Sequence, residues 1–446
     1  MKNVCLQDIV NVTRGQYHGD PALLSRPVSL VARDSREVKP GALFLAFLGE
    51  RHDGHDFIPT ARQNGSLAVL GENPDKAQGA PYIQVADCRA ALGDIGRWYR
   101  GRFRGPVIGI SGSVGKTTCK ELIGAVLGQK YSVLTTEKNL NNELGVPLTV
   151  CRLDDSHEVA VIEMGISHFG EMSYLAAISR PDFAVLTNCG DAHLEALGDR
   201  RGVLRAKTEM MDFVPEQGLA LLNADDPLLA AYQPPRGVQR LLYGTSDLAQ
   251  VQARDITDDE AGCGCTINGC RLVCSANGRH LIYSMLPAYA LGKQLGLSDA
   301  EIQAGVAGFS PLAGRGNVVS APRCTIIDHS YNANPSSTRA ALDALAQRKG
   351  RGLAILGDMY ELGENSHRLH WETGAYAASV GARVIAVGRL GREVAAGAGA
   401  GSSWYATVEE LLEALPQLVQ EKDNVLVKAS HTLGLSRVVS ALEKLS

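Results

Sequence analysis

The apolar run Val107-Ile108-Gly109-Ile110-Ser111 breaks directly into Gly112-Ser113-Val114-Gly115-Lys116-Thr117-Thr118, and a helix-like stretch follows. Strand, glycine turn and helix in immediate succession leave the chain little freedom. The backbone N–H groups of such a turn converge on one hollow, and the helix N-terminus adds partial positive charge. That hollow suits phosphate. Lys116 is placed to reach the β- and γ-phosphates of a nucleotide, and Thr117 offers a hydroxyl to a magnesium ion. The general loop pattern has a glycine where this chain carries Ile110, so the turn is a shorter Gly-x-x-Gly-Lys-Thr variant.

A chain of 446 residues exceeds one ordinary domain. Three blocks are expected. Residues 1–84 carry short apolar runs separated by Gly and Pro, which predicts a small mixed α/β domain. Residues 85–312 contain the loop and further apolar runs, EVAVIEMG, DFAVLTN and GLALLN, alternating with helical segments. That pattern predicts a parallel sheet covered on both faces, a P-loop ATPase domain. Within it, residues 238–279 are expected to form short antiparallel strands. Residues 313–446 alternate the strands CTIIDHS, GLAILG, RVIAVG and NVLVKAS with helices, which predicts a doubly wound, Rossmann-like domain. Its first strand lacks the Gly-x-Gly-x-x-Gly turn of a dinucleotide site.

Carboxylates at the carboxyl ends of parallel strands are the next signal. Glu163 closes EVAVIEMG on the edge where the loop lies, and a carboxylate there is costly unless metal-bound or paired. Asn188, Asp191 and His193 follow the next strand and reach the same edge. On spacing alone His193 reads equally as a metal ligand or a structural histidine. Lys207, within a helical stretch, reads as a solvated surface charge.

The net charge of −4 argues against a nucleic-acid surface, and 45% hydrophobic with 21% charged residues is the balance of a soluble globular chain. The N-terminus has no apolar core of a secretory signal, and no run is long enough for a membrane helix. A cytoplasmic protein with reduced cysteines is therefore expected. Cys263, Cys265, Cys270 and Cys274 cluster, but without the paired C-x2-C spacing of structural zinc sites. Buried thiols on two strands of a hairpin are the expectation.

Taken together, GSVGKTT, NLNNELGVPLTV, VIEMGISHFGEM, TNCGDAHLEALG, RAKTE, DHSYNANPSS and LGDMYELGENSHRLH resemble the Mur ligases of peptidoglycan synthesis, as do DSR and DGHDFI in the first block. Within that family the pattern is most similar to the branch that joins D-Ala-D-Ala to UDP-N-acetylmuramoyl-tripeptide. The resemblance implies an ADP-forming peptide ligase using ATP and Mg2+, acting as a monomer. It implies that Gly112, Ser113, Val114, Gly115, Lys116, Thr117 and Thr118 hold ATP with Asn139, Asn142, Arg315 and Asp328. It further implies that Thr117, Glu163 and His193 hold magnesium and that Lys207 is carbamylated. Asn332 joins Lys116 and Lys207 as catalytic residues. Ser35 and Arg36 are implied for the uridine nucleotide, and Tyr331 and Asn334 for substrate. The family's usual His-Asn pair at the adenine is His280-Leu281 here, with Ser284 for the partner Asn, and His431 stands where an Arg is common. A ligase that adds the third amino acid would carry an Arg after the Pro of YNANPSS. Folate ligases lack the first block. A nucleotide-dependent switch would need the loop but neither Glu163, His193 nor the Asn segments.

Overall fold

The structure is a computed structural model that describes residues 1–49, 52–259, 262–276 and 278–445. Among these residues the strands form three sheets, of five, nine and six strands. The first sheet is parallel through Val31–Ala32, Ala42–Ala46, Ser66–Gly71 and Tyr82–Gln84, with Gln16–His18 antiparallel at its edge.

The central sheet positions the site. Val107–Ser111 lies inside it, between Phe183–Leu186 on one side and Val159–Glu163 on the other. All three are parallel, so their carboxyl ends meet on one edge. All five residues of Val107–Ser111 and of Val159–Glu163 are buried, as continuous apolar runs in a doubly covered sheet should be. The short strand Val133–Thr135 extends the sheet beyond Val159–Glu163.

The region 238–279 departs from expectation at its start. Gln239–Gly244 pairs parallel with Leu219–Asn223, and the first residues of Val251–Asp259 pair parallel with it in turn. A helix, Pro227–Ala231, fills the connection and gives the chain length to cross over, which a tight antiparallel turn would not need. Only beyond this point do antiparallel strands appear, Val251–Asp259 with Gly262–Ile267 and Gly262–Ile267 with Cys270–Cys274. The four clustered cysteines sit on that last hairpin, where Cys263 faces Cys274. All four are buried, in the same apolar core as the helix Ile282–Gln294.

The third sheet runs Asn317–Ser320, Cys324–His329, Asp423–Lys428, Gly352–Gly357, Arg383–Val387, Ser403–Tyr405, parallel except for its first strand. The connection from Cys324–His329 to Gly352–Gly357 steps over Asp423–Lys428. Such a reversal opens a crevice at the carboxyl ends of the strands.

One apolar body joins the first two sheets. Leu43, Leu45 and Leu70 of the first sheet, Leu92 and Ile95 of the helix Cys88–Arg100, and Ile162 and Leu186 of the central sheet belong to the same core. The third sheet has cores of its own on its two faces.

Candidate active site

The loop after Val107–Ser111 is shaped by two glycines. Gly112 has φ +151°, and a Cβ there would lie 1.9 Å from Thr187 Oγ1. Gly115 takes φ +81° immediately before the helix Lys116–Leu127. The neighbouring strand end pins the loop. Ser113 N–H donates to the Asn188 carbonyl at 3.1 Å, and Val114 N–H donates to Asn188 Oδ1 at 3.0 Å. In return Thr187 Oγ1 and Asn188 Nδ2 donate to the Val114 carbonyl at 2.6 and 3.1 Å. Lys116 Nζ donates to the Gly112 carbonyl at 2.7 Å, so its ammonium lies over the loop; burial lowers its pKa, opposed by the nearby Glu163 charge.

Glu163 meets the loop from the other side, level with Ile110. It is buried, and both of its oxygens are satisfied by neutral donors. Oε2 accepts from Thr117 Oγ1 and Oε1 from Asn141 Nδ2, each at 2.8 Å. Its own N–H donates to Thr136 Oγ1 at 3.0 Å, just beyond the short strand Val133–Thr135. A carboxylate aimed by three elements beside a helix-capping loop is a hard-oxygen site. Among the described residues no group of three or more His, Cys, Asp or Glu side chains is placed to hold a metal ion. Thr117 with one carboxylate suits magnesium, which takes few protein ligands and completes its shell with phosphate oxygens and water.

His193 lies on the same cavity. It has φ +57° and precedes the short helix Leu194–Leu197. Its Nδ1 sits 2.7 Å from Glu361 Oε2, and this contact holds the Glu361 carboxyl below its usual pKa. Glu361 also has a left-handed backbone, φ +64°. Asp191 lies instead on a smaller cavity of about 320 Å³ beside Arg339 and Arg368.

Lys207 overturns the surface expectation. On the helix Arg200–Thr208 it is 1% exposed, and burial, then the charge of Lys116, pushes its pKa down to about 7. Helical spacing places a side chain on a face; it does not say that the face is turned toward the sheet.

The opposite wall comes from the third sheet. Asp328 accepts N–H bonds from Gly314 and Ser330 at 3.0 and 2.9 Å, fixing the turn that presents Arg315. The Arg315 guanidinium lies 3.8 Å from the Tyr331 ring centroid, and the Tyr331 and His431 rings are 5.2 Å apart. Asn334 caps the helix Pro335–Ala346, accepting from Ser337 N–H at 2.9 Å. Lys428 Nζ donates to the Asn332 carbonyl at 2.9 Å.

A cavity of about 1130 Å³ lies between these walls, lined by Ser113, Val114, Gly115, Lys116, Thr117, Thr118, Asn142, Glu163, His193, Arg315, Tyr331, Asn332 and Asn334. Gly112, Asn139, Lys207, Asp328, Ser35 and Arg36 are not on its lining. Gly112 and Asp328 shape its turns, and Ser35 and Arg36 sit on a short helical turn beside the first sheet, where Arg36 pairs with Asp34 at 2.6 Å. Asn141, Thr187 and Lys428 were missed. A second Asn in NLNNELG was the available signal for Asn141. Beyond the phosphate loop the cavity reaches Asp225, Arg279, His280, Tyr283 and Ser284, and Tyr283 OH donates to Asp225 Oδ2 at 2.9 Å. Leu281 faces away, buried in the central core.

Three family models match the chain. They are the Mur ligase family catalytic domain over residues 27–100, the Mur ligase middle domain over 110–292 and the Mur ligase glutamate ligase domain over 314–431. The UDP-N-acetylmuramoyl-tripeptide--D-alanyl-D-alanine ligase of Escherichia coli K12 is 33% identical, the match covering 100% of this chain and 99% of that protein. The crystal structure of MurF from Acinetobacter baumannii superposes with a TM-score of 0.91 at 30% identity, over 99% of this chain and 98% of that one. MurF ligase from Thermotoga maritima, solved in complex with ADP, superposes with a TM-score of 0.82 at 29% identity, over 94% and 97% of the two chains.

Proposed function

The chain belongs to the Mur ligase family, and on that premise we propose that it joins D-Ala-D-Ala to UDP-N-acetylmuramoyl-tripeptide, with ATP converted to ADP and phosphate, in peptidoglycan synthesis. The observation that carries this reading is the meeting of the phosphate loop, Thr117 and Glu163 on one wall with Arg315, Tyr331 and Asn332 on the other, around one cavity. A free carboxylate does not acylate an amine at neutral pH. Transfer of the γ-phosphoryl group to the tripeptide carboxylate makes an acyl phosphate; the dipeptide amine attacks its carbonyl carbon, and the resulting tetrahedral species expels phosphate. Lys116 and the loop amides neutralise charge on the phosphate oxygens.

Thr117, Glu163 and His193 are the residues that would hold magnesium, which supplies further neutralisation of phosphate charge when bound. Lys207 is the proposed carbamate site. Its lowered pKa leaves much of the amine neutral near pH 7, the form that adds carbon dioxide. A carbamate carbon signal from 13C-bicarbonate that vanishes in Lys207→Met would support this. Asn139, Asn142, Arg315 and Asp328 are proposed at the nucleotide, Ser35 and Arg36 at the uridine nucleotide, and Tyr331, Asn332 and Asn334 at the reacting groups. Residues 1–84, 85–312 and 313–446 are proposed as the three domains of a cytoplasmic monomer, the compartment that holds ATP.

Phosphate release measured with the two substrates together and separately tests the reading. A ligase requires both. Slow release that neither substrate stimulates belongs to a nucleotide switch. Lys116→Ala should abolish ligation with the fold intact; near-normal product formation by that variant sinks the assignment.

A further inference from the structure

The acceptor carries a carboxylate as well as the attacking amine, and one buried cation in the cavity has no use in the chemistry described so far. Lys428 ends the interior strand Asp423–Lys428 and is 4% exposed, yet its side chain lines the cavity. An ammonium has three protons to donate. One goes to the Asn332 carbonyl. Among the described residues no carboxylate forms an ion pair with it. The titratable groups around it are mainly basic: Arg315 from the turn before the third sheet, His329 opposite it in strand register, and His280 from the central unit, the last also near the Asp258 carboxylate. The His280 and His329 rings are 6.0 Å apart. A buried charge without a counter-charge is costly, and here burial, then Arg315, pushes the lysine down to about 7. This cluster would be relieved by an anion. The phosphates have their own cation and amides on the facing wall, at Lys116 and the loop.

Resting on the ligase reading, we propose that Lys428 binds the terminal carboxylate of the incoming dipeptide and so selects acceptors that carry one. The lysine sits beside Asn332 on the wall built by the third sheet and lines the same cavity as the phosphate loop, where the amine must react. Lys428 is a specificity residue that touches substrate away from the bond being formed.

The test compares D-Ala-D-Ala with its C-terminal amide as acceptors for the full-length enzyme, Lys428→Met and Lys428→Arg, with KM for ATP and the melting temperature as controls. The unaltered enzyme should prefer the acid by roughly 10- to 100-fold in kcat/KM, the worth of one charge-assisted hydrogen-bonded contact. Lys428→Met should lose that preference through a higher KM for the acid, while KM for ATP stays within about twofold. Lys428→Arg should retain part of it. Equal use of acid and amide by the unaltered enzyme would overturn the proposal, as would a preference that survives in Lys428→Met. So would a raised KM for ATP with dipeptide KM unchanged, or a fall in kcat at constant KM with loss of one limb of the pH profile. Should Lys428→Met not fold, the unaltered enzyme and Lys428→Arg still decide. No product from either acceptor with the unaltered enzyme would instead refute the ligase reading itself.

Discussion

Single residues here are set by what surrounds them. Lys207 has a folded pKa of about 7 against an ordinary value of 10.5. Between those values the unfolded chain binds a proton that the folded chain does not, so stability rises with pH across that window. In carbonate-free buffer, Lys207→Met should flatten that part of the rise. Urea midpoints at several pH values from 7 to 10 measure it, and an unchanged slope would contradict the burial of the amine. Gly112 is constrained differently: a Cβ there collides with Thr187 Oγ1, which itself anchors the loop. Gly112→Ala should cost about 1–3 kcal/mol of stability, as overpacking does, and sharply weaken ATP binding. Chemical denaturation and nucleotide titration read the two effects.

At the scale of elements, the strands that carry the site were legible because they are buried on both faces and read as unbroken apolar runs: Val107–Ser111, Val159–Glu163 and Phe183–Leu186. Their parallel order puts Glu163 and Asn188 on the loop's edge. Val133–Thr135 was not legible, since three residues carry no period, and with it went the partners Thr136 and Asn141 that aim Glu163. The parallel pairing of Gln239–Gly244 was hidden because it depends on a crossover, not on composition. The cysteine hairpin was readable from spacing that excludes a paired zinc motif. Its thiols pack as small apolar groups, so Cys265→Ser should cost about 1–3 kcal/mol by burying a hydroxyl, and Cys265→Ala less. Equilibrium unfolding compares them, and zinc content should remain substoichiometric in the unaltered protein.

For the molecule as a whole, the catalytic space belongs to no single sheet. At its margin His193 of the central unit meets Glu361 of the third, both from left-handed backbone positions. A histidine engaged by that glutamate is less available to a cation. Glu361→Ala should therefore lower the magnesium concentration needed for half-maximal ligation, read from a magnesium titration of the reaction rate; a higher requirement would mean that Glu361 helps hold the ion.

The first and central sheets share one apolar interior, while the third sheet keeps its own. Mutational drift is felt unequally as a result. A change at Leu43 or Leu70 of the first sheet is transmitted to Ile162 and Leu186 beside the phosphate loop, because they belong to one packed core. A change inside the third sheet stays there. Selection for a new amine partner can rework that separately cored portion while the phosphate loop and Glu163, which rest on other cores, keep their packing.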